Sequence, residues 1–151
     1  TLIEYKGNSA GDVDIYSKHS KEPKSALNLD NVTVGSAATA ISDALKDVYD
    51  NTTTAGGTYM PKWASKSGAQ FVKVTGGIDY DATVNYSTIV NYYNSKTPTA
   101  ESEVLTKDAM YVVKGGDKNR YYLIYVTSIT DGAGDDADFV KVKVKTIDIT
   151  K

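Results

Sequence analysis

The chain has 151 residues, with 17 basic side chains against 19 acidic ones and no cysteine. That length supports one domain with its own core, and the lack of cysteine excludes disulfides, thiolate metal sites and cysteine nucleophiles. The near-balanced charge, with Arg120 the sole arginine, gives no electrostatic footprint for nucleic acid, and no apolar run approaches the roughly 18 residues of a membrane-spanning helix.

In chain order, residues 2–5 offer a weak strand, and 13–16 (Val-Asp-Ile-Tyr) a better one, because apolar and polar residues alternate. Residues 21–30 are polar, contain Pro23 and read as a loop. Residues 36–50 predict a helix: Ala38, Ile41, Leu45 and Val48 fall on one stripe at helical spacing, and Ser36 is a suitable cap. A Thr/Gly-rich loop over 51–58 and a strand over 71–74 follow. Residues 86–95 fit a short helix or a strand, with helix the preferred reading, and Pro98 ends it.

The C-terminal third predicts an antiparallel three-strand meander. Strands over 110–114, 120–129 and 139–149 are joined by Gly/Asp-rich turns at 115–119 and 130–138. The middle strand is apolar on both faces and is expected to be central and covered on both sides. In the last strand Val140, Val142 and Val144 alternate with Lys141, Lys143 and Lys145, which predicts valines inward and lysines in water, with the lysine row blunting an exposed edge. Ile147 and Ile149 share the lysines' parity, so a bulge or strand end is expected near Thr146. The fold class is therefore mainly β: an antiparallel sheet or sandwich forming one domain over 1–151, with short helices over 36–50 and 86–95.

No hydrolase elbow, phosphate loop or dinucleotide fingerprint is present. His19, the one histidine, lies in a polar stretch and reads as a solvated surface residue. Asp131, Asp135, Asp136 and Asp138 crowd one loop; they form either a solvated turn, which is preferred, or a calcium site built from carboxylate and carbonyl oxygens. Met60 and Met110 carry thioether sulfurs that can ligate haem iron, or they simply fill gaps in a core. Tyr59 and Trp63 flank Met60; they either line an apolar pocket or glycan platform, or pack against the sheet. The Asn-x-Ser/Thr triplets at Asn31, Asn51 and Asn85 are expected by chance in a chain this rich in Asn, Ser and Thr.

The stretches Lys107–Asn119 (Lys-Asp-Ala-Met-Tyr-Val-Val-Lys-Gly-Gly-Asp-Lys-Asn), Tyr122–Thr127 (Tyr-Leu-Ile-Tyr-Val-Thr) and Phe139–Val142 (Phe-Val-Lys-Val) resemble the C-terminal strands of the HmuY-like haem-binding lipoproteins (hemophores) of Bacteroidetes-type bacteria. The likeness covers about a third of the chain. It implies a secreted or outer-membrane-anchored β-rich protein that captures haem. The two-histidine ligation typical of that family cannot form with a single histidine; relatives that use methionines instead would nominate Met60 and Met110.

The expected function is non-catalytic ligand binding in the bacterial envelope, with haem as the implied cofactor and calcium the weaker reading of the aspartate loop. The alternative is a structural or adhesive β-domain that binds glycan or protein. The expected location is extracytoplasmic: periplasmic, outer-membrane-anchored or secreted. The chain opens at Thr1 without a leader, which reads as a mature form whose targeting segment, with any lipid anchor, lay upstream.

Overall fold

The computed structural model describes residues 6–7, 13–21, 25–29, 33–35, 46–52, 58–81, 86–116, 120–132, 134 and 137–148. Within them, ten strands and one helix follow in the order β1 (Lys6–Gly7), β2 (Val13–Tyr16), β3 (Ala26–Asn28), β4 (Thr33–Gly35), β5 (Val48–Asp50), β6 (Trp63–Ala64), β7 (Gln70–Lys73), α1 (Tyr86–Asn94), β8 (Met110–Lys114), β9 (Arg120–Thr130) and β10 (Phe139–Asp148).

The strands form two antiparallel sheets. The larger has six strands in the order β1-β10-β9-β8-β7, with β2 also pairing β10; the smaller has four, in the order β4-β3-β5-β6. The predicted meander is present as β8-β9-β10. Its middle strand is buried on both faces because side chains alternate across it. Tyr122, Ile124 and Val126 point into a core shared with Leu27, Leu29, Val48 and Trp63 of the small-sheet side. Tyr121 and Leu123 point the other way, into a second cluster with Ile89 and Tyr93 of α1. The domain is thus layered as small sheet, large sheet, helix. Each valine of the Val140, Val142, Val144 row is buried in the first cluster, worth about 1.5–3 kcal/mol apiece.

The helix over 86–94 exists because Ile89 and Tyr93, four residues apart, place two apolar side chains on one stripe against the sheet. It ends at Asn94, where Ser95 turns back and its hydroxyl donates to the Tyr92 carbonyl (2.7 Å).

Four expectations are corrected. First, the helix expected over 36–50 does not reach its C-terminal end: Val48–Asp50 is strand β5, while residues 36–45 lie outside the described residues. Tertiary pairing with β3 and β6 outweighs the helical stripe there. Second, the expected loop over 21–30 contains strand β3, whose three residues are all buried. Third, β10 is not an edge, because β9 flanks it on one side and β1 and β2 on the other. Of its lysines, Lys141 and Lys143 are part-exposed, whereas Lys145 is buried, its ammonium lying 4.7 Å from the Tyr80 ring centre and donating to the Tyr80 carbonyl. Fourth, no irregularity occurs near Thr146. Pairing runs unbroken to Asp148↔Arg120, and the bulge lies instead between Lys141 and Val142, where Thr127 is the extra residue on β9. The weak strand expected over 2–5 and the end of β10 at Ile149 lie outside the described residues.

Candidate functional site

The open side of the two-sheet layer lies between β6, an edge of the small sheet, and β7, an edge of the large one. The segment over 99–102 stitches these edges together. Thr99 exchanges both backbone hydrogen bonds with Phe71 (2.8 and 2.9 Å), and the Ser102 amide donates to the Trp63 carbonyl (2.8 Å). The Ser102 hydroxyl accepts from the Trp63 amide (2.8 Å) and donates to the Glu103 carbonyl (2.8 Å). Further along the β7 edge a side chain replaces a strand: the Tyr92 hydroxyl accepts from the Thr75 amide (2.8 Å) and donates towards the Lys73 carbonyl (3.4 Å).

Beside this stitch a groove of about 410 Å³ opens. The β7–β8 register, with Phe71 opposite Val113 and Lys73 opposite Tyr111, explains its shape. Phe71, Lys73 and Tyr111 share one face of the sheet. Phe71 and Tyr111 are buried and form the floor, while Lys73 emerges where the small sheet no longer covers it. The walls are Glu103, paired with Lys73 through Oε1 at 2.7 Å, and the hydroxyl-bearing stretch Thr97, Thr99 and Ser102. Glu101 holds Asn51 (2.9 Å) and Lys62 (3.5 Å), and the Lys96 ammonium lies 5.5 Å from the Tyr92 ring centre.

Tyr111 in the floor and Trp63 behind it in the core each carry a buried polar atom. The Tyr111 hydroxyl and the Trp63 indole N–H have no hydrogen-bond partner among the described residues, and their rings meet edge to face at 5.8 Å. An unmatched buried polar group costs about 1–3 kcal/mol, so such atoms are rare without cause. Burial, and then the negative field of Glu103, push the Tyr111 phenol up to about 12.

The sequence-nominated residues do not converge. Tyr59 and Trp63 lie in the core between the sheets, whereas Met110 packs against the second cluster, on the helix side. Met60 is 48 % exposed. Trp63 is fully buried and offers no surface platform. Tyr59 serves a buried network: its hydroxyl donates to Asp50 Oδ1 (3.1 Å), and burial followed by Asp50 raises its pKa. Its amide donates to Asp131 Oδ2 (3.1 Å).

Asp138 is buried and accepts from the Gly132 amide (2.8 Å), so both described aspartates of the crowded loop organise backbone; Asp135 and Asp136 lie outside the described residues. Among the described residues no group of three or more His, Asp or Glu side chains is arranged to hold a metal ion. His19 is exposed, with its Nε2 3.2 Å from the Thr52 carbonyl.

The groove itself was not foreseen. Its residues come from three separate segments, and none is a rare residue type whose spacing stands out. Compared with family models, curated proteins and solved structures, the chain matches none.

Proposed function

We propose that this chain is a non-catalytic ligand-binding domain of the bacterial envelope, whose binding site is the groove between β7, the 96–103 segment and Tyr111. The observation that carries the reading is a groove of about 410 Å³ floored by Phe71 and Tyr111 and rimmed by the Lys73–Glu103 pair. That volume falls at the small end of the roughly 300–1,000 Å³ of ligand sites, which suits a small polar molecule.

A binding role is favoured over catalysis because the ionisable groups of the groove are tied to neighbours: Lys73 to Glu103, and Glu101 to Asn51 and Lys62. A composition rich in Tyr, Thr and Ser agrees with an extracytoplasmic setting, whether periplasmic, outer-membrane-anchored or secreted. Haem capture, which the HmuY-like resemblance implies, draws no support from this geometry, since Met60 and Met110 lie in separate environments. A purely adhesive role through Trp63 draws none either, since that ring is enclosed.

The test is thermal-shift screening of a small-metabolite library against the wild-type chain and a Lys73→Ala/Glu103→Ala variant. A ligand that binds only the native state raises Tm by mass action. The reading expects compounds that stabilise the wild type and not the variant. Stabilisation that is equal in both proteins contradicts it.

A further inference from the structure

β7 is an edge strand, and its outward main-chain groups are not all matched. The Val74 amide donates to the Met110 carbonyl (2.8 Å), so Val72 and Val74 turn their main-chain groups towards β8. In an antiparallel ladder the residues between them turn theirs the other way. Phe71, Lys73 and Thr75 therefore present N–H and C=O at the free edge. Thr99 matches both groups of Phe71 (2.8 and 2.9 Å), and the Tyr92 hydroxyl matches the Thr75 amide (2.8 Å). Lys73 lies between them. Its carbonyl has only the long contact with that same hydroxyl (3.4 Å), and its amide has no partner among the described residues.

The neighbouring segment explains the gap. With Thr99 opposite Phe71, antiparallel register puts Thr97 opposite Lys73, yet those two exchange no hydrogen bond. The chain at Lys96 is still turning off the end of α1, its amide donating to the Tyr93 carbonyl (3.2 Å), and Pro98 has no amide to give. The two backbones part beyond Phe71, and the groove occupies the parting. Val72, Lys73 and Thr75 line it along the β7 edge, and Lys96, Thr97 and Thr99 line it opposite. An N–H and a C=O set side by side on a strand edge are the complement of another extended main chain, which can exchange both bonds through a single residue. Charge imposes no competing selection, since Lys73, Lys96, Glu101 and Glu103 supply two charges of each sign.

We infer that the groove takes a short extended peptide, one residue of which pairs with Lys73 through both main-chain hydrogen bonds, its amide taking the Lys73 carbonyl over from Tyr92. The inference rests on the reading of the groove as the binding site and adds the ligand class to it.

Selection from a random linear peptide library against the wild-type chain supplies the probes. Calorimetry then measures the recovered peptides, and copies N-methylated at one residue at a time, with the wild-type, Lys73→Ala and Lys73→Pro chains. Proline at this position deletes an amide that points away from β8, so the ladder is kept, and a urea midpoint close to that of Lys73→Ala verifies this. If Lys73→Pro does not fold, the N-methyl series on the wild type decides alone. N-methylation of one interior residue should weaken binding about tenfold or more while its two neighbours tolerate it, and Lys73→Pro should bind about tenfold more weakly than Lys73→Ala. Peptides that bind equally with every residue methylated overturn the inference. If no peptide binds, but metabolites stabilise the wild type and not the Lys73→Ala/Glu103→Ala variant, the groove remains the site and the peptide class is wrong. If neither peptides nor metabolites depend on these residues, both the inference and the site it rests on fall.

Discussion

Asp50 is the residue whose removal the structure judges most severely. It is buried at the end of β5, and its carboxylate accepts from the Lys18 amide (2.9 Å), the Thr52 amide (3.3 Å), the Thr52 hydroxyl (2.7 Å) and the Tyr59 hydroxyl (3.1 Å). The network joins the turn after β2 to the loop before β6. Hydrogen bonds to a charged group contribute about 1.5–3 kcal/mol each, but the sum of four is an upper bound, because burying the charge opposes it and the bonds are not independent.

Asp50→Ala leaves four donors without their acceptor, so the expected loss is about 3–5 kcal/mol. Asp50→Asn should cost less, about 1–3 kcal/mol. The two amides both point at Oδ2, which the Asn carbonyl can replace. The two hydroxyls both point at Oδ1, and each can rotate to accept from the Asn side-chain amide instead. Urea denaturation at equilibrium reads the difference. With a slope of about 2 kcal/mol per M, Asp50→Ala moves the midpoint down by about 2 M and Asp50→Asn by at most about 1.5 M. A loss below about 1 kcal/mol for Asp50→Ala, or equal losses for the two substitutions, refutes this account of the network.

Three further outcomes are expected. Gly116→Ala should destabilise by about 1–3 kcal/mol in the same denaturation assay, because its Cβ would come within 2.7 and 2.8 Å of the Gly68 backbone, which cannot move aside as a flexible side chain could. Tyr92→Phe uncovers the Thr75 amide and the Lys73 carbonyl at the β7 edge. Stability should fall by about 0.5–1.5 kcal/mol, and sedimentation velocity should show concentration-dependent self-association absent from the wild type. Because the folded state holds the Tyr111 phenol up to about 12 against an ordinary 10.0, its contribution to stability is intact below pH 10 and is lost as pH rises from 10 to 12. Denaturation at stepped pH should show a shallower alkaline decline in Tyr111→Phe than in the wild type.

Much of the fold was legible because the longest elements carry the plainest patterns. β9 and β10 are 11 and 10 residues long: β9 carries a continuous apolar run and β10 a valine/lysine alternation, each over enough positions to stand out. The segment at 86–95 fits helix or strand by its apolar residues, and the preferred helix is the one that forms, over 86–94, with Ile89 and Tyr93 against the sheet. The small sheet was hidden because its strands are two or three residues long, too short for alternation to register; β3 follows Pro23 in a polar stretch. The place of β10 in the sheet was also hidden. The valine/lysine ladder reads as an edge unless one knows that β1 and β2 return from the chain's start to pair with it. Lys145 is buried by another non-local contact, with Tyr80.

The candidate site was illegible in a different way. Rare residues drew the attention, yet Met110 and Trp63 serve separate packing clusters. The groove arises where the β7–β8 register carries Lys73 past the cover of the small sheet above the buried Tyr111, and residues as ordinary as Thr97 and Glu103 wall it. Its one local signal, a tyrosine whose hydroxyl finds no partner, exists only in three dimensions.

That the groove beside β7 is the binding site is tested most directly by amide and tyrosine-ring chemical-shift mapping of the labelled chain, titrated with a compound that stabilises the wild type in the thermal-shift screen. Shifts concentrated on Phe71–Thr75, Lys96–Glu103 and the Tyr111 ring are expected, with the helix face around Ile89 and the Asp50 network silent. Shifts centred on Met60 or on the 131–138 loop, with Tyr111 unmoved, would contradict it.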